Sequence, residues 1–341
     1  MPTGAQALLR TLVAGGVEVC FANPGTSEMH AVAALDEVPG IRGILTLFEG
    51  VAAGAADGYA RMAGRPAATL LHLGPGLGNA VANLHNARRA GVGVVNVVGD
   101  HAVGHARYDA PLQSDIDSLA APVSGWVGRV AAAADVAADT AAAVAAARAG
   151  QVATLILPAD ASWSDGAADE PVPVPQATPR EPGSPAALQA AAAALRSGEP
   201  CLLLLGGDAT RADGLAAAGA ITAATGARML VETFPARLER GAGVVAADRL
   251  AYLPDVAAHQ LGGIRHLVLA GARSPVTFFG YPGRRGDLVP EGCHVYPVAG
   301  PKQAAAAALA ALADEVAPGV AARPAAATRP ALPSGPLTAQ T

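Results

Sequence analysis

The sequence predicts an α/β protein with two doubly wound parallel-sheet domains. Three observations support this prediction. Apolar runs alternate with helical stretches of about 10 to 15 residues, as in parallel sheets that helices cover on both faces. The length of 341 residues suits about two domains. A proline-rich stretch near the middle of the chain separates the two α/β regions.

The first domain is predicted at residues 1–165, where turn residues separate the strands and helices. Asn23-Pro24-Gly25 ends the first strand, and Ser27 is predicted as the N-cap of the following helix. The run Val92–Val98 is apolar throughout, which is typical of a buried parallel strand. Strands are predicted at Val17–Ala22, Ile41–Leu47, Ala67–Leu73, Val92–Val98 and Val152–Leu157, and helices at Ala5–Ala14, Ser27–Leu35, Glu49–Met62, Asn79–Ala90, Ile116–Ala120 and Ala133–Ala149.

The second domain is predicted at residues 185–317. Prolines crowd residues 166–184, so that segment is predicted to link the domains. Residues 318–341 are rich in proline and alanine and are predicted to be another linker. Strands are predicted at Cys201–Leu205, Arg228–Val231, His266–Leu269 and His294–Val298, and helices at Pro185–Leu195, Gly214–Ala224 and Gln303–Val316.

Composition and charge argue against several classes of partner. The 23 basic and 28 acidic residues give a net charge of −5 and form no Lys/Arg run, so no nucleic acid partner is expected. Hydrophobic residues make up 52% of the chain, but charged residues interrupt its alanine-rich runs. We therefore expect no membrane span. The N-terminus lacks the features of a signal peptide, and a cytoplasmic location is expected.

The cysteines and histidines show no metal-binding pattern. Cys20, Cys201 and Cys293 are far apart, and each is predicted to lie in an apolar, strand-like run, so three reduced core thiols are expected. No helical His spacing or Cys-x-x-Cys motif is present, and no metal ligands are predicted. The histidines considered and set aside for this role are His85, His101 and His105.

Two titratable residues lie where parallel sheets bind ligands, beyond the carboxyl ends of strands. Glu49 follows an apolar run and begins a helix of small residues, so we expect a poorly hydrated carboxylate suited to proton exchange. A helix-starting glutamate favoured by the helix dipole is the alternative. His72 ends a strand and begins a predicted glycine-rich loop, Gly74–Gly78, whose backbone amides could approach a ligand closely. A buried structural histidine is the alternative interpretation of His72. That segment lacks the Gly-Lys-Ser/Thr of a P-loop.

Three motifs in one order and spacing carry a family resemblance. Residues 19–26 are Val-Cys-Phe-Ala-Asn-Pro-Gly-Thr, and residues 55–61, after Phe48-Glu49-Gly50, are Ala-Ala-Asp-Gly-Tyr-Ala-Arg. Residues 71–79 are Leu-His-Leu-Gly-Pro-Gly-Leu-Gly-Asn. Together they resemble the N-terminal pyrimidine-binding domain of thiamine-diphosphate-dependent enzymes, the acetolactate synthases and benzoylformate-decarboxylase-like enzymes. Residues 275–282 are similar to a loop of that family's central domain.

The resemblance implies thiamine diphosphate as cofactor and a 2-oxoacid as substrate. By this resemblance Glu49 would hydrogen-bond a nitrogen of the aminopyrimidine ring and so promote loss of a proton from the thiazolium ring. Glu49 and His72 would be catalytic, and Thr26 and His72 would bind the substrate. The residues implied to bind the cofactor are Asn23, Pro24, Gly25, Glu49, Gly76 and Asn79.

The chain departs from the family in one motif. The family's third domain holds Mg²⁺ and the cofactor diphosphate with a Gly-Asp-Gly motif followed by Asn-Asn, and the nearest approach here is Gly207-Asp208-Ala209. Mg²⁺ is therefore expected only through this absent diphosphate-binding domain, toward which the predicted linker 318–341 would lead. The domain is expected either on a longer product of which this chain is a fragment or on a partner chain. By family analogy a homodimer or tetramer is expected. Some relatives hold FAD in the central domain, but Gly206-Gly207 is an ordinary glycine turn.

The sequence leaves three functions open. The resemblance of His72 and the Asn23-Pro24-Gly25 turn favours a benzoylformate-decarboxylase-like 2-oxoacid decarboxylase. An acetolactate-synthase-like carboligase large subunit is the first alternative. The second is a non-catalytic subunit that binds a nucleotide or regulates a partner.

Overall fold

The computed structural model describes residues 1–176, 179–329 and 331–339 of the chain. The chain divides into two compact units, residues 1–178 and residues 179–341. Part of each predicted linker, residues 177 and 178 in the first and 330, 340 and 341 in the second, lies outside the described residues.

A six-stranded parallel sheet forms the centre of the first unit, with strand order β2-β1-β3-β4-β6-β5. Strands β1–β6 are Val19–Asn23, Arg42–Leu45, Ala67–Leu71, Val94–Asp100, Trp126–Arg129 and Val152–Pro158. Helices α1–α7 are Gly4–Ala14, Met29–Glu37, Glu49–Ala63, Leu73–Ala90, Ile116–Ala120, Val136–Arg148 and Ala159–Trp163.

The central strands of this sheet are buried along their whole length, because β3, β4 and β6 are apolar runs covered on both faces. One row of polar side chains crosses them. The Thr69 hydroxyl donates to Asn96 Oδ1 at 2.7 Å, and Asn96 Nδ2 donates to Thr154 Oγ1 at 3.0 Å. Each buried polar group in the row thus has a partner, which fixes the register of three neighbouring strands.

The helix ends follow from local chemistry. Thr3 and Gln6 form a capping box at the start of α1. Helix α3 ends at Ala63, and its C-cap residue Gly64 has a φ of 71°, a left-handed conformation that suits glycine.

A five-stranded parallel sheet forms the second unit, in the order β11-β10-β7-β8-β9. Leucines of β7 lie at its centre and are fully buried. Strands β7–β11 are Cys201–Leu205, Arg228–Val231, Asp248–Arg249, His266–Ala270 and His294–Ala299, and helices α8–α11 are Pro185–Arg196, Ala212–Thr225, Pro254–Leu261 and Ala305–Val316. No helix in the described part of the chain combines the length and apolar character needed to cross a membrane.

The predicted α/β class with two parallel sheets is confirmed, but three local predictions are wrong. Segment Gly74–Gly78 is helical, because α4 begins at Leu73. Ser27 is not an N-cap, because it lies inside a 3₁₀ turn and α2 begins two residues later. Cys293 is half-buried and precedes β11, whereas the free thiols of Cys20 and Cys201 are buried within strands.

Candidate active site

The carboxyl ends of β1 and β3 bring the predicted site residues to one edge of the first sheet. The two strands are adjacent, with Asn23 opposite Leu71 at their ends. The chain runs from β1 to β2 on one side and returns to β3 on the other, so this edge is a topological switch point. Ligands of parallel α/β sheets bind at such points. The Asn23–Thr26 turn leaves β1 here, and His72 leaves β3.

Glu49 is the first residue of α3 and is only 8% exposed, which confirms the predicted poor hydration. Its Oε2 accepts a hydrogen bond of 2.9 Å from Asn79 Nδ2 on α4. A Cβ on Gly76 would lie 3.1 Å from Glu49 Oε1, so glycine allows α4 to approach the carboxylate closely. The structure thus brings together three of the predicted cofactor-binding residues.

Asn83 supports this arrangement and was not predicted from the sequence. It lies one turn after Asn79 on α4, and its Nδ2 donates to the Gly50 carbonyl at 2.7 Å. Residues four apart share a helix face, so both asparagines face the start of α3. The Asn-x-x-x-Asn spacing was the available signal.

His72 is paired with a carboxylate that the sequence did not reveal. Its Nδ1 lies 2.8 Å from Glu28 Oε2, and the same oxygen accepts from the Gly25 backbone amide at 2.8 Å. Glu28 is 2% exposed, whereas the His72 side chain is 23% exposed. The buried carboxylate therefore orients a ring that solvent and ligands can reach.

The second oxygen of Glu28 is in an unusual position. Glu28 Oε1 is buried and has no hydrogen-bond partner among the described residues. A Cβ on Gly99, near the end of β4, would lie 1.7 Å from it. A buried carboxylate oxygen without a partner is unfavourable in a structure selected for stability alone, and it is typical of a functional site.

The remaining predicted residues form the turn after β1. Asn23 Nδ2 donates to the Thr46 carbonyl at 2.7 Å, and the Thr46 hydroxyl donates to the Ala22 carbonyl at 3.1 Å. Asn23 therefore holds the turn in place. Half-buried Pro24 follows it, and exposed Thr26 begins the 3₁₀ turn that ends at Glu28.

Apolar side chains close to Glu49 in the sequence are exposed. Leu45 and Leu47 are 72% and 92% exposed, and Phe48 and Val51 are about half exposed. Several large exposed apolar side chains within one short segment are typical of surfaces that another protein covers.

The histidines set aside as metal ligands do not gather into a metal site. His101 and His105 have ring centroids 5.6 Å apart, and His85 contacts Asn86 on the surface of α4. Within the described ranges, no group of three His, Cys, Asp or Glu side chains could hold a metal ion.

Comparison with known proteins gives matches over this site and beyond. The N-terminal TPP binding domain of thiamine pyrophosphate enzymes matches residues 2–121. A Mycobacterium tuberculosis protein provisionally named acetolactate synthase large subunit IlvX is 66% identical over 337 residues, which are 98% of this chain and 64% of that protein. The acetolactate synthase isozyme 3 large subunit of Escherichia coli is 32% identical over 123 residues, 36% of this chain and 21% of its own length. The chain thus spans less than two thirds of these relatives.

Solved structures show the same fold. The 4-hydroxybenzoylformate decarboxylase of Rhodococcus jostii RHA1 matches 98% of this chain and 66% of its own, with a TM-score of 0.78 and 21% identity. Benzoylformate decarboxylase from Polynucleobacter necessarius matches 86% of this chain and 55% of its own, with a TM-score of 0.70 and 23% identity. These comparisons lead to one conclusion: residues 2–121 are an N-terminal TPP binding domain of the thiamine pyrophosphate enzyme family, and the chain shares its fold with solved structures of such enzymes.

Proposed function

We propose that this chain is the pyrimidine-binding and central part of a thiamine-diphosphate-dependent 2-oxoacid decarboxylase in which Glu49 activates the cofactor. The buried Glu49 carboxylate carries the proposal. Asn79 occupies its Oε2, and the bare backbone of Gly76 lies beside Oε1. This carboxylate is oriented, poorly hydrated and without a second hydrogen bond among the described residues, which suits it to hold a proton against a ring nitrogen.

These residues fit the aminopyrimidine end of the cofactor, since Asn79 orients the carboxylate and Glu49 Oε1 has no hydrogen bond to another described residue that a ring nitrogen would have to displace. When bound, thiamine diphosphate supplies the electron sink for cleavage beside a 2-oxoacid carbonyl. We assign Mg²⁺ and the diphosphate to a domain outside residues 1–341, on the same polypeptide or on a partner chain.

His72 and Thr26 are proposed to bind the substrate. With Nδ1 hydrogen-bonded to Glu28, the His72 ring has its Nε2 left to donate to or accept from a ligand. We propose that His72 and the exposed Thr26 hydroxyl bind the 2-oxoacid carboxylate. When CO₂ is lost, a proton must take its place on carbon 2 of the substrate, the carbon that carries the oxo group. His72 is proposed to supply this proton.

A partner is proposed to cover the apolar surface around Glu49. A second copy of this chain in a homodimer or tetramer, or a chain with the diphosphate-binding domain, would bury Leu47 and Phe48 and exclude water from the carboxylate.

The test is turnover of a panel of 2-oxoacids by the natural gene product that contains residues 1–341. We expect Glu49→Gln to lower kcat by about 100-fold or more, because glutamine cannot exchange the proton. The matched control is Glu170→Gln, which changes an exposed glutamate of the same unit and should leave kcat unchanged. Full turnover by Glu49→Gln would falsify the proposed role.

An acetolactate-synthase-like carboligase is the second candidate, favoured by the name of the 66% identical relative. Product analysis separates the two activities. Both activities release CO₂: the proposed decarboxylase also releases an aldehyde, whereas the carboligase converts two pyruvate molecules into acetolactate and one CO₂. Acetolactate as the main product would overturn the decarboxylase in favour of the carboligase.

A further inference from the structure

Three buried polar atoms without hydrogen bonds lie on or beside the loop that follows β4. Among the described residues, five buried side-chain nitrogen or oxygen atoms lack a partner. Three of them are Glu28 Oε1, His101 Nε2 and Gln113 Oε1. Buried polar atoms without partners are rare in stable structures, so three at one place indicate a site for a ligand. Neither His101 nor Gln113 takes part in the function proposed above.

The loop, residues 101–114, begins beside His72. Leu71 on β3 is paired with Val98 on β4. The next residues along the two strands, His72 and Gly99, are therefore neighbours. Gly99 also contacts Glu28, because a Cβ at this position would lie 1.7 Å from Glu28 Oε1. The loop thus starts next to the ring that is proposed to bind the substrate.

The loop also ends beside His72. A Cβ on Gly74 would lie 2.2 Å from Ser114 Cβ. Gly74 comes two residues after His72, so the last residue of the loop packs against the start of α4. A loop whose ends lie close together is compact, and such loops are frequently functional. His101 and Gln113 occupy the two ends of this one.

The loop is suited to open for a ligand. Most side chains from Val103 to Asp109 are exposed. Asp109 has a φ of 49°, a left-handed conformation that is unfavourable in residues other than glycine. When the loop opens, the unpaired atoms of His101 and Gln113 gain hydrogen bonds to water, which lowers the cost of opening. Opening gives a ligand access to both atoms.

The two atoms define the group that they bind. Gln113 Oε1 only accepts hydrogen bonds, so it needs a donor. His101 Nε2 donates in the tautomer with its proton on that nitrogen, and it then needs an acceptor. A hydroxyl group donates and accepts at once, whereas an ammonium group only donates and a carboxylate only accepts. One ligand hydroxyl therefore satisfies both atoms.

We infer that the loop 101–114 selects a 2-oxoacid with a hydroxyl group in its side chain. The hydroxyl donates to Gln113 Oε1 and accepts from His101 Nε2, while His72 and Thr26 bind the carboxylate. This inference rests on the function proposed above, since it names the substrate class of the same site. An aliphatic and a phenolic hydroxyl both have this chemistry.

The test compares pairs of 2-oxoacids that differ only in a hydroxyl or a methyl group. The aliphatic pair is 4-hydroxy-2-oxobutanoate and 2-oxopentanoate, and the phenolic pair is 3-hydroxyphenylpyruvate and 3-methylphenylpyruvate. The enzyme is the natural gene product that contains residues 1–341. We expect kcat/KM to be about 100-fold higher for the hydroxyl member of at least one pair, because a methyl group leaves both polar atoms unpaired. The pair that shows this preference identifies the type of hydroxyl.

Variants test the two residues. Gln113→Leu and His101→Leu should each lower the hydroxyl preference at least about ten-fold, and Gln113→Leu should raise kcat/KM for the methyl member. His101→Gln keeps a donor and should retain most of the preference. Because Gln113 Oε1 is unpaired, Gln113→Leu should melt at the wild-type temperature or above it. The control Gln176→Leu changes an exposed glutamine of the same unit and should leave both kcat/KM values unchanged.

Equal kcat/KM values within both pairs would overturn the inference and leave the proposed function standing. If no 2-oxoacid is turned over, the proposed function fails, and dissociation constants measured by calorimetry without thiamine diphosphate decide the inference. It stands if a hydroxyl member binds at least about ten-fold more tightly than its methyl partner, and it is overturned otherwise. An unchanged preference in a folded His101→Leu variant also overturns it. So does a marked fall in the melting temperature of Gln113→Leu, which would assign Gln113 a structural role.

Discussion

The structure predicts whether ionisation of Glu232 raises or lowers the free energy of unfolding, and this prediction can be tested. It follows β8 in the second unit, and burial raises the pKa of its carboxyl from 4.5 to about 7. The backbone amide of Gly207 and the charge of Arg273 oppose this rise. The folded second unit therefore binds a proton at Glu232 more tightly than the unfolded chain does.

The sign of the pH dependence follows from this difference. Because the pKa of Glu232 is higher in the folded than in the unfolded state, its protonation contributes to the free energy of unfolding. This contribution is complete below pH 4.5 and is lost as the pH rises through about 7. At about 1.4 kcal/mol per pH unit, the loss approaches roughly 3 kcal/mol at pH 8.5. Glu232→Gln keeps the shape of the protonated side chain and cannot ionise. We expect the variant to match the wild type at pH 4 and to exceed it by roughly 2–3 kcal/mol at pH 8.5.

The assay is urea unfolding at both pH values, followed by circular dichroism, with hydrogen exchange of the β7 and β8 backbone amides. Hydrogen exchange assigns the change to the second unit, which matters because a two-unit chain need not unfold in one step. Glu291→Gln, which alters an exposed glutamate of the same unit, should behave as the wild type at both pH values. A Glu232→Gln variant less stable than the wild type at pH 8.5 would refute the reasoning, because the Gly207 and Arg273 interactions would then outweigh burial.

Three further predictions concern the first unit and the thiols. Gly99→Ala should lower the melting temperature by several degrees in calorimetry, because its Cβ would lie 1.7 Å from Glu28 Oε1; Gly104→Ala, which has open space around it, should not. Glu28→Gln should lower kcat for the 2-oxoacid and alter its pH profile, and an unchanged pH profile would contradict the pairing. Burial raises the pKa of the Cys20 thiol to about 12, so maleimide at pH 8 should react first with the half-buried Cys293. Equal labelling of Cys20 and Cys293 in the native protein, measured by mass spectrometry, would contradict this prediction.

The sheet centres were predictable because burial on both faces requires unbroken apolar runs. Cys201–Leu205 is buried throughout and has the predicted limits, since Pro200 and Gly206 bound its apolar run. Arg228–Val231 also has the predicted limits, although Arg228 is exposed and only Leu230 and Val231 are buried. The edge strands Trp126–Arg129 and Asp248–Arg249 were missed. Each is short and partly or fully exposed, so it has neither the length nor the apolar character that marks a strand in a sequence.

The sequence predicted the residues around Glu49, but it did not predict the carboxylate that pairs with His72. Glu49, Gly76 and Asn79 belong to motifs whose spacing indicates the family, and the structure brings them together. Glu28 lies 44 residues before its partner His72 in the sequence, and its burial depends on the approach of β1 to β3. Local sequence offers only a polar residue near a helix start, which is typical of an exposed position.

The two buried carboxylates at this sheet edge have different partners, and the difference assigns them different work. Glu49 accepts from an amide of Asn79, a neutral donor that orients the carboxylate without exchanging its proton. Glu28 contacts the imidazole of His72, which can gain or lose a proton. This difference supports separate roles in the proposed function: Glu49 would act on the cofactor ring, and Glu28 would orient His72 toward the substrate. In that proposal the two glutamates would act at successive steps, because each has its own hydrogen-bond partner.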